Sequence, residues 1–324
     1  MGKLEGIVPP IITPILDNED IDEFHLRKIV SHCIDNGLHG ILVAGSGGEA
    51  MALTQRQRMN AIRIALDEAQ GRVPVICGAM DTGTRQVVEN IKQIEQLGGE
   101  YVAVTPVFYT KTSNQDDIVR HFEQISRQTA LNVFIYNIPL NTQVNILPET
   151  VRRIARIDRV VGLKDSSGIW PQFEKVLHAF KQDDNFRIFQ GSTEIAGVSI
   201  LCGAVGYVPI YSVFFPKLFR KLYEKAAAKD IEATLMLQHI VNLLSVKLTS
   251  RGNNILSAKA IAQMMGLGSA KVCDPSMPIT AEEYAGIQKV VSAFSSSIQR
   301  AMPDQTLSGA ASLRYDDLAQ ALNL

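Results

Sequence analysis

The sequence predicts an α/β protein, a (β/α)8 barrel of the TIM type with a C-terminal helical extension, and three observations point there. Eight short apolar runs recur along the chain, most of them followed by a longer stretch of helical pattern. Most of the runs are apolar without alternation, as expected of parallel strands covered by helices on one face and by a packed barrel interior on the other. The first run leads into Ile15-Leu16-Asp17-Asn18, which cannot cradle a phosphate as the glycine-rich first turn of an open doubly wound sheet does.

The strand-like runs begin near Gly6, Gly40, Val73, Tyr101, Asn132, Val160, Phe186 and Gly203. Between them, Thr54 is placed to cap a helix running through Arg58, Ile62 and Ala65 to Gly71. Thr84 to Leu97 sets Val87, Val88, Ile91, Ile94 and Leu97 on one stripe before Gly98-Gly99 stops it. Asp116 to Thr129 and Pro148 to Ile157 repeat the design, the second with a proline suited to an opening helical turn. After Lys229 the strand signals cease. Asp230 to Leu248, Asn253 to Met265 and Ala281 to Met302 read as three further helices, which gives a barrel over residues 1–229 and an extension over 230–324. The tail from Pro303 carries one weak helical pattern, Leu313 to Leu322.

Composition sets the broad class. A chain of 46% hydrophobic and 20% charged residues has the mix of a globular protein with a large core. A formal net charge of -1 offers nothing to attract nucleic acid or an acidic membrane surface. No apolar segment is long enough to span a bilayer and the N-terminus lacks a signal-peptide pattern, so the expectation is a cytoplasmic protein. Cys33, Cys77, Cys202 and Cys273 are too widely spaced for a metal site and are expected to be reduced and buried. His25, His32, His39, His121, His178 and His239 also lack ligand spacing and are expected at surfaces or helix ends, and Trp170 is expected to pack at a helix start.

The chemistry centres on Lys164. It ends the apolar run Val160-Val161-Gly162-Leu163 and precedes the polar turn Asp165-Ser166-Ser167-Gly168. A strand-end lysine commonly snorkels to water. Held at the mouth of a core, however, an amine loses hydration, and the neutral amine is the form that attacks a carbonyl. Barrel active sites lie where strands end, and the other strand ends supply complementary parts. Gly45-Ser46-Gly47-Gly48-Glu49 offers exposed amides and the Ser46 hydroxyl to a carboxylate, and Tyr136 offers a phenol as proton donor. Each is weak alone, since a glycine-rich turn is usually only permissive and a strand-end tyrosine is usually packing. Together they suit a 2-keto acid bound as an imine, an electron sink that lets a carbon–carbon bond one atom further out break or form. That chemistry requires neither a metal nor an organic cofactor. Ser166 has two readings, a contact to substrate hydroxyls or a cap for the following helix.

These residues resemble the pyruvate-dependent class I aldolases that include dihydrodipicolinate synthase and N-acetylneuraminate lyase. The resemblance runs from about Gly6 to Pro278, through Gly6-Ile7-Val8-Pro9-Pro10, Thr13-Pro14, Gly45 to Glu49, Tyr136-Asn137-Ile138-Pro139, Gly162-Leu163-Lys164-Asp165, Gly203-Ala204-Val205-Gly206 and Lys259 in a late helix. It implies a Schiff base on Lys164, proton relay by Tyr136, and a pyruvate carboxylate held by Ser46 and the amide of Gly47. Gly191, Thr193 and Val208 would join Ser166 in binding substrate, and Tyr109 would reach a neighbouring subunit's site within a homotetramer. Pyruvate and a small aldehyde, or a keto sugar acid, would be the reactants. The departures choose among members. Asn141 stands where the synthases carry an arginine for the second carboxylate, with Lys111 the basic residue placed to replace it, and Gly47 stands where they carry a threonine. Thr193 and Ile210 depart from the sialic acid lyases, while Glu194 agrees. The expectation is cleavage of a 2-keto-3-deoxy sugar acid in a site made roomier at Gly47. The alternatives are a synthase-like condensation of pyruvate with aspartate semialdehyde, a dehydratase using the same imine, and a keto-acid-binding homologue without catalysis.

Overall fold

A computed structural model describes residues 4–110, 114–252 and 254–301, the side chains beyond residue 298 excepted. Lys111 and the tail pattern Leu313 to Leu322 lie outside the described residues. Eight parallel strands form one sheet: β1 (Gly6–Ile7), β2 (Ile41–Val43), β3 (Val75–Gly78), β4 (Tyr101–Val104), β5 (Asn132–Asn137), β6 (Val160–Asp165), β7 (Arg187–Gln190) and β8 (Gly206–Tyr207). Their order, β1-β8-β7-β6-β5-β4-β3-β2, leaves β1 and β2 as the two ends. A parallel bridge between Pro10 and Leu42 joins those ends, so the sheet curls into the expected barrel.

β1 and β8 are much shorter than the apolar runs that contain them. Pro9, Pro10 and Pro209 follow them and have no N–H for a ladder. At the seam the prolines therefore act only as acceptors or bystanders: the Leu42 amide donates to Pro9 O (2.9 Å), and the Ile11 amide donates to Leu42 O (3.0 Å).

The outer helices are α1 (Glu23–Asp35), α2 (Gln55–Ala69), α3 (Thr84–Gln96), α4 (Gln115–Ser126), α5 (Pro139–Thr142), α6 (Pro148–Ile154), α7 (Trp170–Ala179), α8 (Ala196–Leu201) and α9 (Pro216–Ala227). Thr54 caps α2 through a reciprocal capping box with Gln57. α3 buries the stripe Val87, Val88, Ile91 and Ile94. Trp170 opens α7 as expected. The four-residue α5 has no counterpart in the sequence reading, because a single turn is too short to show periodicity. α10 (Ile231–Leu248), α11 (Asn254–Met264) and α12 (Ala281–Ala301) are the last elements among the described residues, and no helix among these residues is long and apolar enough to cross a membrane.

Two expectations need correction. His121 is buried in α4, with Nδ1 2.9 Å from Thr84 Oγ1 and Nε2 3.2 Å from Thr105 O. Burial pushes its pKa down to about 4, so it is a neutral core residue and not a surface one. Cys202 is exposed just past α8, unlike Cys33, Cys77 and Cys273. Cys202 is the C-cap of α8, past the buried residues Ala196, Gly197, Ser199 and Ile200.

Candidate active site

Lys164 and Tyr136 are register partners on adjacent strands, β6 and β5. This depends on a bulge. Val133 pairs with Val160, but Phe134 pairs with Gly162, so Val161 is the extra residue. In an unbroken register Lys164 would lie opposite Asn137 instead. The bulge gives no period in a sequence and was not legible there.

The lysine amine lies 3.9 Å from the centroid of the Tyr136 ring, within reach of cation–π attraction. Both side chains are buried, Lys164 to 7% exposure and Tyr136 to 1%. The Tyr136 hydroxyl is 2.8 Å from Ser46 Oγ, and either oxygen can donate. Amine, phenol and hydroxyl thus form a continuous row across the mouth of the barrel from β6 through β5 to the turn after β2.

Ser46 belongs to a single 3-10 turn, Ser46–Gly48, bracketed by Ala44 and Glu49 in the left-handed region (φ 52° and 55°). Among the described residues the Ser46 and Gly47 amides donate to no other backbone carbonyl, as befits the opening of a helical turn. A carboxylate there would meet two amides and a hydroxyl. The extra room expected at Gly47 is not present. A Cβ at that position would stand 3.3 Å from Ile210 Cδ1, so the isoleucine occupies the space that a larger residue would take.

The residues beside the pair tie the two strands together. Asn137 Nδ2 donates to Asp165 Oδ2 (3.1 Å) and to Asn145 Oδ1 (3.0 Å), while Asn137 Oδ1 accepts from the Ile146 amide (3.0 Å). Asp165 Oδ1 accepts from the Ser167 amide (2.8 Å) and hydroxyl (2.6 Å), and Ser167 Oγ accepts from the Ile169 amide (3.2 Å). The turn before α7 is therefore held by Asp165 and Ser167, which leaves the half-buried Ser166 hydroxyl out of the capping role. That hydroxyl lies against Gly191, where a Cβ would come within 1.9 Å of it; only glycine lets β7 approach so closely.

Thr193 opens a 3-10 turn after β7 and is held by its carbonyl, which accepts from Gln238 Nε2 of α10 (2.9 Å). Val208, buried just beyond β8, donates its amide to Gln190 O (2.8 Å). Tyr109 is not brought in: the residue is 95% exposed. Sequence reasoning gave no role to Thr13, whose hydroxyl donates to Gly48 O (2.8 Å), or to Asn137 and Asp165. Asn137 and Asp165 stood inside quoted motifs; their signal was a polar side chain directly following a strand-end residue with chemistry.

Among the described residues no group of three His, Cys, Asp or Glu is arranged to hold a metal ion. Residues 3–294 match the model of the dihydrodipicolinate synthetase family. A 4-hydroxy-tetrahydrodipicolinate synthase of Parabacteroides distasonis is 30% identical over 290 residues, 89% of this chain and 96% of that protein. A solved dihydrodipicolinate synthase of Acinetobacter baumannii complexed with pyruvate is 26% identical, with a TM-score of 0.82 over 88% of this chain and 97% of that one. A structure described as a monomeric dihydrodipicolinate synthase variant is 26% identical, with a TM-score of 0.83 over 89% of this chain and 96% of that one. The chain belongs to the dihydrodipicolinate synthetase family, whose members are pyruvate-dependent class I aldolases.

Proposed function

We propose that Lys164 forms an imine with pyruvate and that the enzyme uses it to make or break a carbon–carbon bond to an aldehyde, with no cofactor. The observation that carries this reading is the row of Lys164, Tyr136 and Ser46, with the amine 3.9 Å from the phenol ring and the phenol 2.8 Å from the serine hydroxyl. The lysine amine attacks the keto carbon and water leaves. The phenol moves the proton, and the turn at Ser46–Gly47 holds the carboxylate. Pyruvate with borohydride should then add one reduced pyruvyl group at Lys164, read by mass. The Lys164→Ala protein should stay unlabelled and lose turnover. Equal labelling of that variant would move the nucleophile elsewhere.

For the second substrate we favour a hydroxylated aldehyde, released from a 2-keto-3-deoxy sugar acid. The support is Asn141, exposed on α5 next to the site, which is neutral and too short to grip a carboxylate as an arginine does. The Ser166 hydroxyl, free of the capping role, adds to it. The room once expected at Gly47 gives none, because Ile210 fills it. The relatives' names back the other reading, condensation of pyruvate with aspartate semialdehyde, better than this one. A missing charge-assisted hydrogen bond costs about 1.5–3 kcal/mol, roughly one to two decades in kcat/KM. Sugar-acid cleavage should therefore show the higher kcat/KM. A higher value with the semialdehyde would make the condensation the function.

The reading also carries a homotetramer in the cytoplasm, with the exposed Tyr109 ring given to a neighbour's site. A fully active monomer in sedimentation at assay concentration would remove the tetramer and the shared tyrosine together.

A further inference from the structure

α11 is almost wholly apolar or small, and Lys259 is its one charged residue. That lysine is 0% exposed. Its Nζ forms an ion pair with Glu49 Oε2 and donates to Lys271 O (2.7 Å). The other carboxylate oxygen, Glu49 Oε1, accepts from the Cys273 amide (2.8 Å). One carboxylate on the rim of the barrel is thus bound to the helix and to the segment that follows it, more than two hundred residues away in sequence.

Glu49 is also the residue that ends the Ser46–Gly48 turn. Its amide donates to Ser46 O (3.1 Å), and its backbone sits at φ 55°, a left-handed conformation uncommon for a residue other than glycine. The side-chain anchor holds it there. A second contact runs from the same helix. Tyr211, next to the Ile210 that packs on Gly47, has its hydroxyl 2.8 Å from Ser257 Oγ, two residues before Lys259. α11 therefore grips the carboxylate-binding turn directly through Glu49 and indirectly through the Ile210 side.

A buried ion pair is a poor way to add stability, because well-packed apolar side chains of the same volume do as well or better. Apolar packing does not fix a direction, whereas a carboxylate hydrogen-bonded at one oxygen and ion-paired at the other does. We infer that Glu49 and Lys259 are positioning residues: their pair sets the Ser46–Gly47 turn, so the C-terminal helices govern how tightly the site holds the pyruvate carboxylate. This rests on the reading that Lys164 binds pyruvate beside that turn.

The experiment titrates pyruvate at fixed borohydride and follows the Lys164 adduct by mass, alongside the melting temperature. Glu49→Gln keeps the shape and removes the charge; Lys259→Met removes the partner. Each should raise the half-saturating pyruvate concentration about tenfold, the loss of roughly one hydrogen bond's worth of affinity, while the plateau at Lys164 is retained. The double variant should be no worse than either single, because the two act as one unit. A folded single variant with wild-type half-saturation, or a double variant in which the two effects multiply, overturns the inference. Unpairing a buried charge can prevent folding, so the double variant, which buries none, decides the matter if the singles do not fold. On the wild-type enzyme the same link is read by hydrogen exchange, in which trapping the adduct should slow exchange of the amides of α11 several-fold; unchanged exchange there counts against it. A wild-type protein that never labels at Lys164 removes the imine reading instead, and is told apart from a failed latch by that result alone.

Discussion

The two halves of the barrel wall are built to different standards. From β4 to β7 the strands run four to six residues and pair in a continuous ladder, interrupted once by the bulge at Val161. Around the seam, β1 and β8 have two residues each, and the closure onto β2 is a single bridge beside two prolines. Lys164 and Tyr136 both stand on the laddered half. Side chains whose mutual placement is chemistry must be held to fractions of an ångström, and long pairing supplies that. The seam closes the wall beside the Ser46–Gly47 turn, with Pro10 next to Gly47, and there fixed proline dihedrals and packing hold the backbone.

The largest effect expected from this contrast is at the chemistry itself. Tyr136→Phe deletes one hydroxyl from the row and should lower kcat about 10²–10⁴-fold with the fold intact, as for a positioned acid–base group. A near-normal kcat would reduce Tyr136 to packing, and the long ladder would then serve Lys164 alone.

Next in size is a pH effect on the same half, where His121 joins α4 to the carbonyl just past β4. Burial lowers its pKa from 6.5 to about 4, so between those values the unfolded chain takes up the proton and the folded one does not. Its contribution is full above pH 6.5 and is lost as the pH falls toward 4, by at most about 3 kcal/mol. In urea titrations, His121→Gln should flatten the fall in stability over that window. An unchanged slope would assign the fall to carboxylates.

Gly162→Ala tests the ladder beside the bulge. A Cβ there would come within 2.3 Å of Arg187 O and 2.4 Å of Phe134 Cε1, so backbone must shift, at a cost of about 1–3 kcal/mol. The displaced ring lies two residues before Tyr136, so kcat should fall as well as the melting temperature. The smallest effect is expected at the seam. Pro10→Ala loosens the unfolded chain and should cost less than about 1 kcal/mol without altering kcat. A seam variant that cost more activity than Gly162→Ala would reverse the ranking of the two halves.

Much of the architecture was legible because periodicity reports burial. The apolar runs gave all eight strands, and the stripe in α3 appeared with four of its five expected members, Leu97 standing half-buried at the C-cap just past the helix. What the sequence concealed were two-body facts. Val161 as a bulge, His121 as a core residue and Ile210 filling the space at Gly47 each depend on what lies opposite, which no single segment encodes. The placement of Lys164 and Tyr136 at neighbouring strand ends was readable because a strand end is a local feature. Lys259 was visible as a lone charge among Leu256, Ser257, Ala258, Ala260, Ile261 and Ala262, but its partner lay in a different third of the chain.

The rings of Phe134 and Phe189 meet edge to face, 5.9 Å between centroids, against Gly162 and Gly206. Both rings are buried, and Phe134 lies two residues back from Tyr136 along β5, so packed aromatic carbon stands behind the Lys164–Tyr136 pair. A polar group pressed against those rings would lose its water and find no partner, so the floor admits apolar carbon and turns polar groups back toward the strand ends.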